Sequence, residues 1–455
     1  MNDWATRSFW LGRGDYAPSV PLDGDTRADV VMMGGGFTSL WSAIQLKEAD
    51  PSIDVVILER DVIGYGASGR NGGFGMTMIA RNIHDLLRKV GKERARATHL
   101  AMVETLEQLE SFCAAEGIEA DITHPGLLTV SNGPEQDIRI GHDLDAAEKL
   151  GLDDFRALDR GACRELVRTD CVRCGHFEQH SLLVDPAALA RGLKRAALSR
   201  GVRIYEGTAA ESISAERGKG VVAKTATGTV SADRGLIATN AYAHAIPRLR
   251  PFLFTIYAYI VLTERLTPEQ WARVGWERRM GIEDKRIMPH FHRPTADGRI
   301  LWGGRDAPFK AGGPDARFDR DERIFARLEE TFRWTFPQLS DVGIEHAWAG
   351  PVCGTIHCFA TVGRLDGERL HYALGYAGHG VGPSHLVGKI VRDMMLDRKT
   401  ELLELPMVAV RPARLPPEPL RGLVLRTAQT ILLEADDSGG RSRNPFVKLA
   451  LRFLQ

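Results

Sequence analysis

The feature that most constrains this chain is a glycine cluster set between an apolar run and an amphipathic one. Asp29–Met33 reads DVVMM, short and apolar enough for a buried parallel strand. Gly34-Gly35-Gly36 follows, and Phe37–Ala49 then carries Leu40, Ala43, Ile44 and Leu46 on one helical face. Asp54–Leu58 (DVVIL) is a second apolar run. Strand, glycines, helix and strand in this order make a βαβ unit of the usual size. Its turn has the pattern Gly34-x-Gly36-x-x-Ser39. The two glycines permit a tight turn and a close backbone approach to a pyrophosphate. The helix start at Phe37 and Thr38 then offers free N–H groups to the phosphates. Ser39 replaces the third glycine, a mild departure where helix packs on strand. Glu59, with Arg60 beside it, stands where an acid about 20 residues on accepts hydrogen bonds from a ribose diol. A structural glycine turn alone would not require that acid.

The choice between dinucleotides rests on Gly64-Tyr65-Gly66-Ala67-Ser68-Gly69-Arg70-Asn71-Gly72-Gly73. Five glycines in ten residues make neither a good helix nor a good strand. With Ser68, Arg70 and Asn71 they form a donor-dense loop suited to a pyrophosphate and a flavin, which selects FAD over NAD. A plain surface loop has no need of so many glycines.

The remaining chain reads as two interleaved domains and a tail. Helices are expected near 93–116 and 186–200, a strand at 202–205, a hairpin turn at 227–229 and a buried strand at 235–239. The stretch 250–345 alternates in the manner of an antiparallel sheet. A helix follows at 385–396. A Pro-rich linker and two amphipathic helices, Arg421–Glu434 and Pro445–Leu454, close the chain. Lys+Arg and Asp+Glu both number 59, which argues against a nucleic-acid partner. No apolar run is long enough to span a membrane or form a signal-peptide core. Six cysteines in 455 residues are too few for a disulfide scaffold, so the expected setting is cytoplasmic with free thiols. Oligomeric state is left open, a homo-oligomer included. Cys171-x-x-Cys174 with His176 and His180 is packed too tightly for an ordinary zinc site, and no metal is expected.

GGGFTSLW, LER and GYGASGRNGG together resemble the D-amino-acid oxidase superfamily of FAD oxidoreductases, which includes glycine, sarcosine and γ-glutamylputrescine oxidase-like enzymes. Further matches are HPGLLTV at 124–130, LLVDPAALARGL at 182–193, LIATNAYA at 236–243, RILWGG at 299–304 and GYAGHGVG at 375–382. The resemblance implies an α/β fold: a Rossmann-type FAD-binding domain, of the glutathione-reductase-like kind, interleaved with an antiparallel-sheet substrate domain. The FAD part would comprise 27–90, 170–248 and 346–400. The cap would comprise 91–169 and 249–345, and 401–455 would be a helical tail. Gly34, Gly36, Phe37, Thr38, Ser39, Glu59 and Arg60 would hold the ADP half. Gly66, Ala67, Ser68, Arg70, Asn71, Gly72 and Gly73 would wrap the pyrophosphate and approach the flavin. Ala210 would lie at the adenine, and Thr239, Asn240 and Gly350 against the cofactor. Gly378, His379, Gly380, Val381 and Gly382 would meet the flavin's pyrimidine end, before a helix whose N-terminus favours an anionic flavin.

The implied activity is oxidation of the C–N bond of an amine or amino acid. Hydride passes to flavin N5, the imine hydrolyses, and O2 or another electron acceptor reoxidises the flavin. No triad is needed, and none is found. Candidate substrate contacts are Tyr257 and Tyr259, which alternate along one strand, together with Trp302, Arg305, Trp348 and His379. Arg305 is the natural clamp for a substrate carboxylate. The segment 351–363 departs from the family, which leaves the substrate open. Cys353 offers an imperfectly spaced thiol for covalent attachment, and a buried inert thiol is the simpler reading. The competing readings are a dehydrogenase of the same fold and a non-catalytic FAD-binding subunit. The purified protein is expected to be yellow and to release FAD on acid or heat denaturation. Flavin retained on the denatured band in a gel would point to a thioether at Cys353.

Overall fold

In the computed structural model, the described residues are 3–79, 81–216, 220–276, 278–367, 369–409, 412–439, 442 and 444–446. Two eight-stranded sheets organise them. In the first, Arg203–Tyr205, Val55–Leu58, Thr26–Met33, Thr229–Ile237 and Leu370–Leu374 lie side by side and parallel. Thr361–Asp366 adds an antiparallel edge strand, and Ser212–Glu216 and Gly220–Lys224 form a meander on Thr229–Ile237. The central strand's core residues Val31 and Met32 are fully buried, as a strand covered on both faces requires. Its helix runs over Phe37–Ala49, and residues 37–46 are buried all along it. Packing against Val381–Met395 and Pro186–Ser199 on either side explains why even its small polar residues Ser39 and Ser42 are fully buried.

The second sheet has the order Ile344–Gly354, Phe254–Thr263, Ile300–Gly304, His290–Pro294, Gly281–Asp284, Leu127–Ser131, Cys174–Glu178 and Phe155–Leu158. It departs from the expected antiparallel cap in two ways. Gly281–Asp284 and Leu127–Ser131 pair in parallel, because they come from distant parts of the chain and no hairpin joins them. It also draws in Cys174–Glu178 and Ile344–Gly354, segments that the sequence reading grouped with the FAD part. Each finds its pairing partner, Leu127–Ser131 or Phe254–Thr263, in this sheet, so the boundaries drawn at 170 and 346 cut across paired strands. The helix expected at 385–396 begins earlier, at Val381.

The sheet has two different faces. Tyr257, Tyr259, His292 and Trp302 point to one side, where they pack with Phe325, Phe332 and Phe336 from the helical region Glu322–Thr335 and its end. Ile260, Phe291, Leu301 and Trp348 point to the other, toward Trp10, Leu11 and Ala187. Helix Leu420–Asp437 crosses the outside, with only Arg421, Gly422 and Ala435 buried. Of the amphipathic segment expected over Pro445–Leu454, only 445 and 446 are among the described residues. No helix among the described residues is long and apolar enough to cross a membrane.

His292 shows what burial on the packed face costs. Its ring stacks on Trp302 at 4.2 Å, and burial pushes its pKa down to about 3, opposed by nearby Asp284. A histidine held neutral in the fold but near pH 6.5 when unfolded stabilises the protein fully above that value. The contribution is lost as pH falls through the folded value. The stability difference between wild type and His292→Phe is therefore expected to fall by about 1.4 kcal/mol per pH unit between roughly 6 and 4. Urea midpoints measured across that range check it, and a pH-independent difference would mean the ring is not buried neutral.

Candidate active site

A cavity of about 690 Å³ opens between the two sheets, and its first wall is the βαβ turn. Gly34 has φ +102°, and a Cβ there would lie 3.0 Å from both the Ala238 carbonyl oxygen and the Thr239 methyl. This glycine is required by conformation and by space together. Gly36 caps helix Phe37–Ala49 without any side-chain bond, and Ser68 Oγ accepts from Phe37 N at 3.0 Å. The helix start therefore faces the cavity with donor N–H groups. Glu59 accepts from Gly35 N at 2.6 Å and Asp61 N at 2.9 Å. Burial raises its pKa to about 7 against the pull of those two bonds. Thr239 Oγ1 is buried without a partner, and Tyr376 Oη and Thr38 Oγ1 pair at 2.7 Å on the same wall.

The glycine-rich loop forms the next part of the wall. Ala67–Gly69 is one 3-10 turn. Asn71 Nδ2 donates to the Ala67 and Ser68 carbonyls, and Asn71 Oδ1 accepts from Gly73 N at 2.7 Å. Arg70 is turned inward with a side chain only 1 % exposed. It donates to Tyr65 O and to Asp319, and Trp348 Nε1 donates to Arg70 O at 2.8 Å. The opposite wall is an apolar face of the second sheet: Ala258, Ile260, Phe291, Pro351 and Val352, with Gly350 between them.

Of the residues singled out from sequence for the cofactor, Gly34, Gly36, Phe37, Thr38, Glu59, Arg60, Gly66, Ala67, Ser68, Arg70, Asn71, Gly72, Ala210, Thr239, Asn240, Gly350, Gly378, Gly380 and Val381 all line this cavity. Ser39 is fully buried behind the turn. Gly73 lies under Arg293, and Gly382 packs against Leu106, Met102 and the Met76 carbonyl. His379 sits beside the cavity, with Nδ1 on the Ala377 carbonyl.

The substrate candidates fare differently. Tyr257 and Tyr259 do share a face, but it is the face turned away, where their hydroxyls donate to the Asp315 and Phe318 carbonyls. Trp302 is on that face too, bonded to Thr331. Arg305 is ion-paired with Asp437 of the C-terminal helix and does not line the cavity. Trp348 faces inward and holds Arg70. Residues missed from sequence include Tyr242, Ala258, Ile260, Phe291, Val352 and Tyr376. The signal for Ala258 and Ile260 was present, as the positions alternating with the two tyrosines, and only the choice of face was hidden. Cys353 is buried with its thiol pushed up to about 12 by desolvation. Cys171, Cys174, His176 and His180 meet four different partners, Thr169, Asp137, Asp143 and Asp154. Among the described residues no group of three or more such side chains is placed to hold a metal.

The cavity fits FAD: the helix N–H groups after Phe37, a ribose-competent Glu59, the orphaned Thr239 hydroxyl, and glycines where a Cβ would fill the cradle. Comparison with known proteins agrees, for residues 29–394 match the family model of DAO, FAD-dependent oxidoreductases. The chain belongs to that family. A relative called γ-glutamylputrescine oxidoreductase, from Escherichia coli, is 32% identical over 87% of this chain and 90% of its own. Glycine oxidase of Bacillus licheniformis is 25% identical over 83% and 96%. Among solved structures, glycine oxidase from Geobacillus kaustophilus has a TM-score of 0.69 at 19% identity, over 85% of this chain and 99% of that one. The DAO-family member described here is thus an FAD-dependent oxidoreductase.

Gly34→Ala tests the cradle. It forces a Cβ against the Ala238 carbonyl at a positive φ, and is expected to cut FAD occupancy at least tenfold. The ratio of flavin to protein absorbance, read on folded protein, checks this.

Proposed function

We propose that this protein oxidises the C–N bond of a primary or secondary amine. The reading rests above all on the cavity, which has donor-rich glycine loops on one side and an uncharged sheet face on the other. Gly34, Gly36, Phe37, Thr38, Glu59 and Arg60 would hold the ADP half, and Ser68, Arg70, Asn71 and Gly72 the central part. Bound there non-covalently, FAD would supply two-electron acceptor chemistry toward the C–H beside the amine nitrogen, with O2 as the final electron acceptor.

The chain's own contribution is orientation and dryness. Ala258, Ile260, Phe291 and Val352 exclude water, which favours the neutral amine over its ammonium form. The neutral form keeps the nitrogen lone pair that assists loss of hydride. Gly350 and Gly380 bring bare backbone to the cavity, leaving space where a side chain would intrude. The product imine is hydrolysed by water to a carbonyl compound and an amine or ammonia. His379, half-buried beside the site, has its pKa lowered by desolvation, which disfavours a cation there.

Among the described residues the sheet wall contributes no charged side chain to the cavity, Arg305 is held by Asp437, and Arg250 at the cavity's edge donates to the His244 carbonyl. This favours an amine without a carboxylate beside the reacting C–N bond over an α-amino acid. The name of the Escherichia coli relative, γ-glutamylputrescine oxidoreductase, agrees with that class.

Anaerobic mixing of the yellow protein with a panel of alkylamines and α-amino acids tests the reading. Bleaching of the flavin band by amines, reversed by O2, is expected. Bleaching by α-amino acids alone would overturn the amine assignment, and reoxidation only by a quinone dye would replace O2 as acceptor.

A further inference from the structure

The inner face of the second sheet does not end at the cavity. Its strand register sets Trp348, Ile260, Gly303, Phe291, Glu283, Thr129 and His176 in one cross-strand row. Directly paired residues on neighbouring strands project to the same side. Glu283 is therefore one strand, about 4.8 Å, beyond Phe291, which lines the large cavity. Phe74 meets Phe291 edge-on at 5.7 Å, and the chain continues from Phe74 to Met76, Thr77 and Met78. Those residues, with Glu283, Thr129, His176, Asp143, Glu178 and Lys285, enclose a second pocket of about 40 Å³. That is room for about three water-sized groups.

The lining is polar, buried and incompletely paired. Glu283 is 8 % exposed, His176 4 % and Asp143 2 %. Glu283 has a single long hydrogen bond, from Thr129 Oγ1 at 3.4 Å. Neither ring nitrogen of His176 has a hydrogen-bond partner, although Nε2 lies 3.5 Å from Asp143, and Asp143 Oδ1 is also unpartnered. Glu178 is satisfied by Ser181 Oγ and His180 N. Lys285 is ion-paired with Asp143, so the pocket already accommodates one ammonium group. Three carboxylates line it against this one lysine and Arg81, whose Nε donates outward to the His357 carbonyl. A buried carboxylate with so little hydrogen bonding is costly, and desolvation raises its pKa to about 7 against the pull of the nearby Lys285 charge and the Thr129 bond.

We propose that this pocket binds a primary ammonium head group, seated between Glu283, Thr129 and His176. A cation there would give the Glu283 carboxylate a hydrogen-bonded partner, which Lys285, paired with Asp143, does not supply, and would place N–H donors beside the unpartnered Asp143 Oδ1 and the unpartnered His176 ring. The head group has two sources. It is the distal end of a diamine-type substrate whose reacting end lies at the flavin, passing the Phe74–Phe291 contact, or it is ammonium freed by imine hydrolysis. Both sources rest on the amine-oxidation reading, whereas the pocket's affinity for the head group does not.

Methylammonium chloride titrated into the FAD-loaded protein, followed by calorimetry, is the direct test. Saturable binding is expected in wild type and at least a tenfold weaker affinity in Glu283→Gln, with the flavin spectrum and melting temperature retained. Thr129→Val, which removes only the hydroxyl, is expected to weaken binding by a smaller factor. Absence of saturable binding, or equal affinity in wild type and Glu283→Gln, overturns the proposal. The source is then decided by anaerobic flavin reduction with an alkylamine and the α,ω-diamine of equal length. A preference for the diamine that is lost in Glu283→Gln identifies the substrate's distal end. No preference, with methylammonium binding intact, identifies released ammonium. Methylammonium binding in a protein whose flavin no amine reduces would leave the pocket standing and remove the amine-oxidation reading.

Discussion

The architecture hangs on a joint in which two buried arginines hold the glycine-rich loop between the sheets. Arg293 is fully buried and donates to the Gly73 and Val184 carbonyls at 3.1 and 2.8 Å. Arg70 donates to Asp319 and Tyr65 from a nearly inaccessible position. Hydrogen bonds from charged groups contribute about 1.5–3 kcal/mol each when formed, and an abandoned buried charge costs more. The loop therefore stays pinned. Gly73 has φ +77°, and a Cβ there would meet the Val184 carbonyl, so backbone and guanidinium contact is possible only without a side chain.

From that joint follows the shape of the cavity. Pinning the loop sets Ser68 against the start of the Phe37–Ala49 helix and sets Asn71 across its own turn. It also brings Trp348 over Arg70, which ties the edge strand of the second sheet to the dinucleotide loop. The two walls are thus linked by hydrogen bonds, and the space between them has fixed width. A partly apolar gap between linked walls suits a planar cofactor, since the rate depends on holding reacting atoms in register.

The C-terminal segment adds a strap from outside. Arg421 donates to the Arg250 carbonyl, Gln429 brackets Ala307 and Phe309, and Asp436 accepts from Ile287 and Met288 N–H groups. Glu418, just before the helix, lines the large cavity near its Arg250 and His244 edge. The ion pair between Arg305 and Asp437 belongs to this strap. An arginine that sequence alone recommended as a substrate clamp is consumed in holding the tail.

Local pattern in the sequence was enough for the dinucleotide half. The strand, the glycines, the helix from Phe37 and the acid at Glu59 are contiguous within about 30 residues of chain, as a βαβ unit demands, and their roles follow from backbone conformation and helix-end chemistry. The alternation of Tyr257 and Tyr259 likewise fixed that they share a face, because side-chain direction in a strand has period two. It did not fix which face, since that depends on what packs above and below. The helical region from Glu322 took the tyrosines and Trp302, and left Ala258, Ile260 and Phe291 for the cavity. The parallel pairing of Gly281–Asp284 with Leu127–Ser131, and with it the row that carries Glu283 to His176, joins residues some 150 positions apart. No local signal encodes such a pairing. Only the sheet, with its hydrogen-bond register, decided that those buried carboxylates and histidine would stand beside the apolar wall of the large cavity.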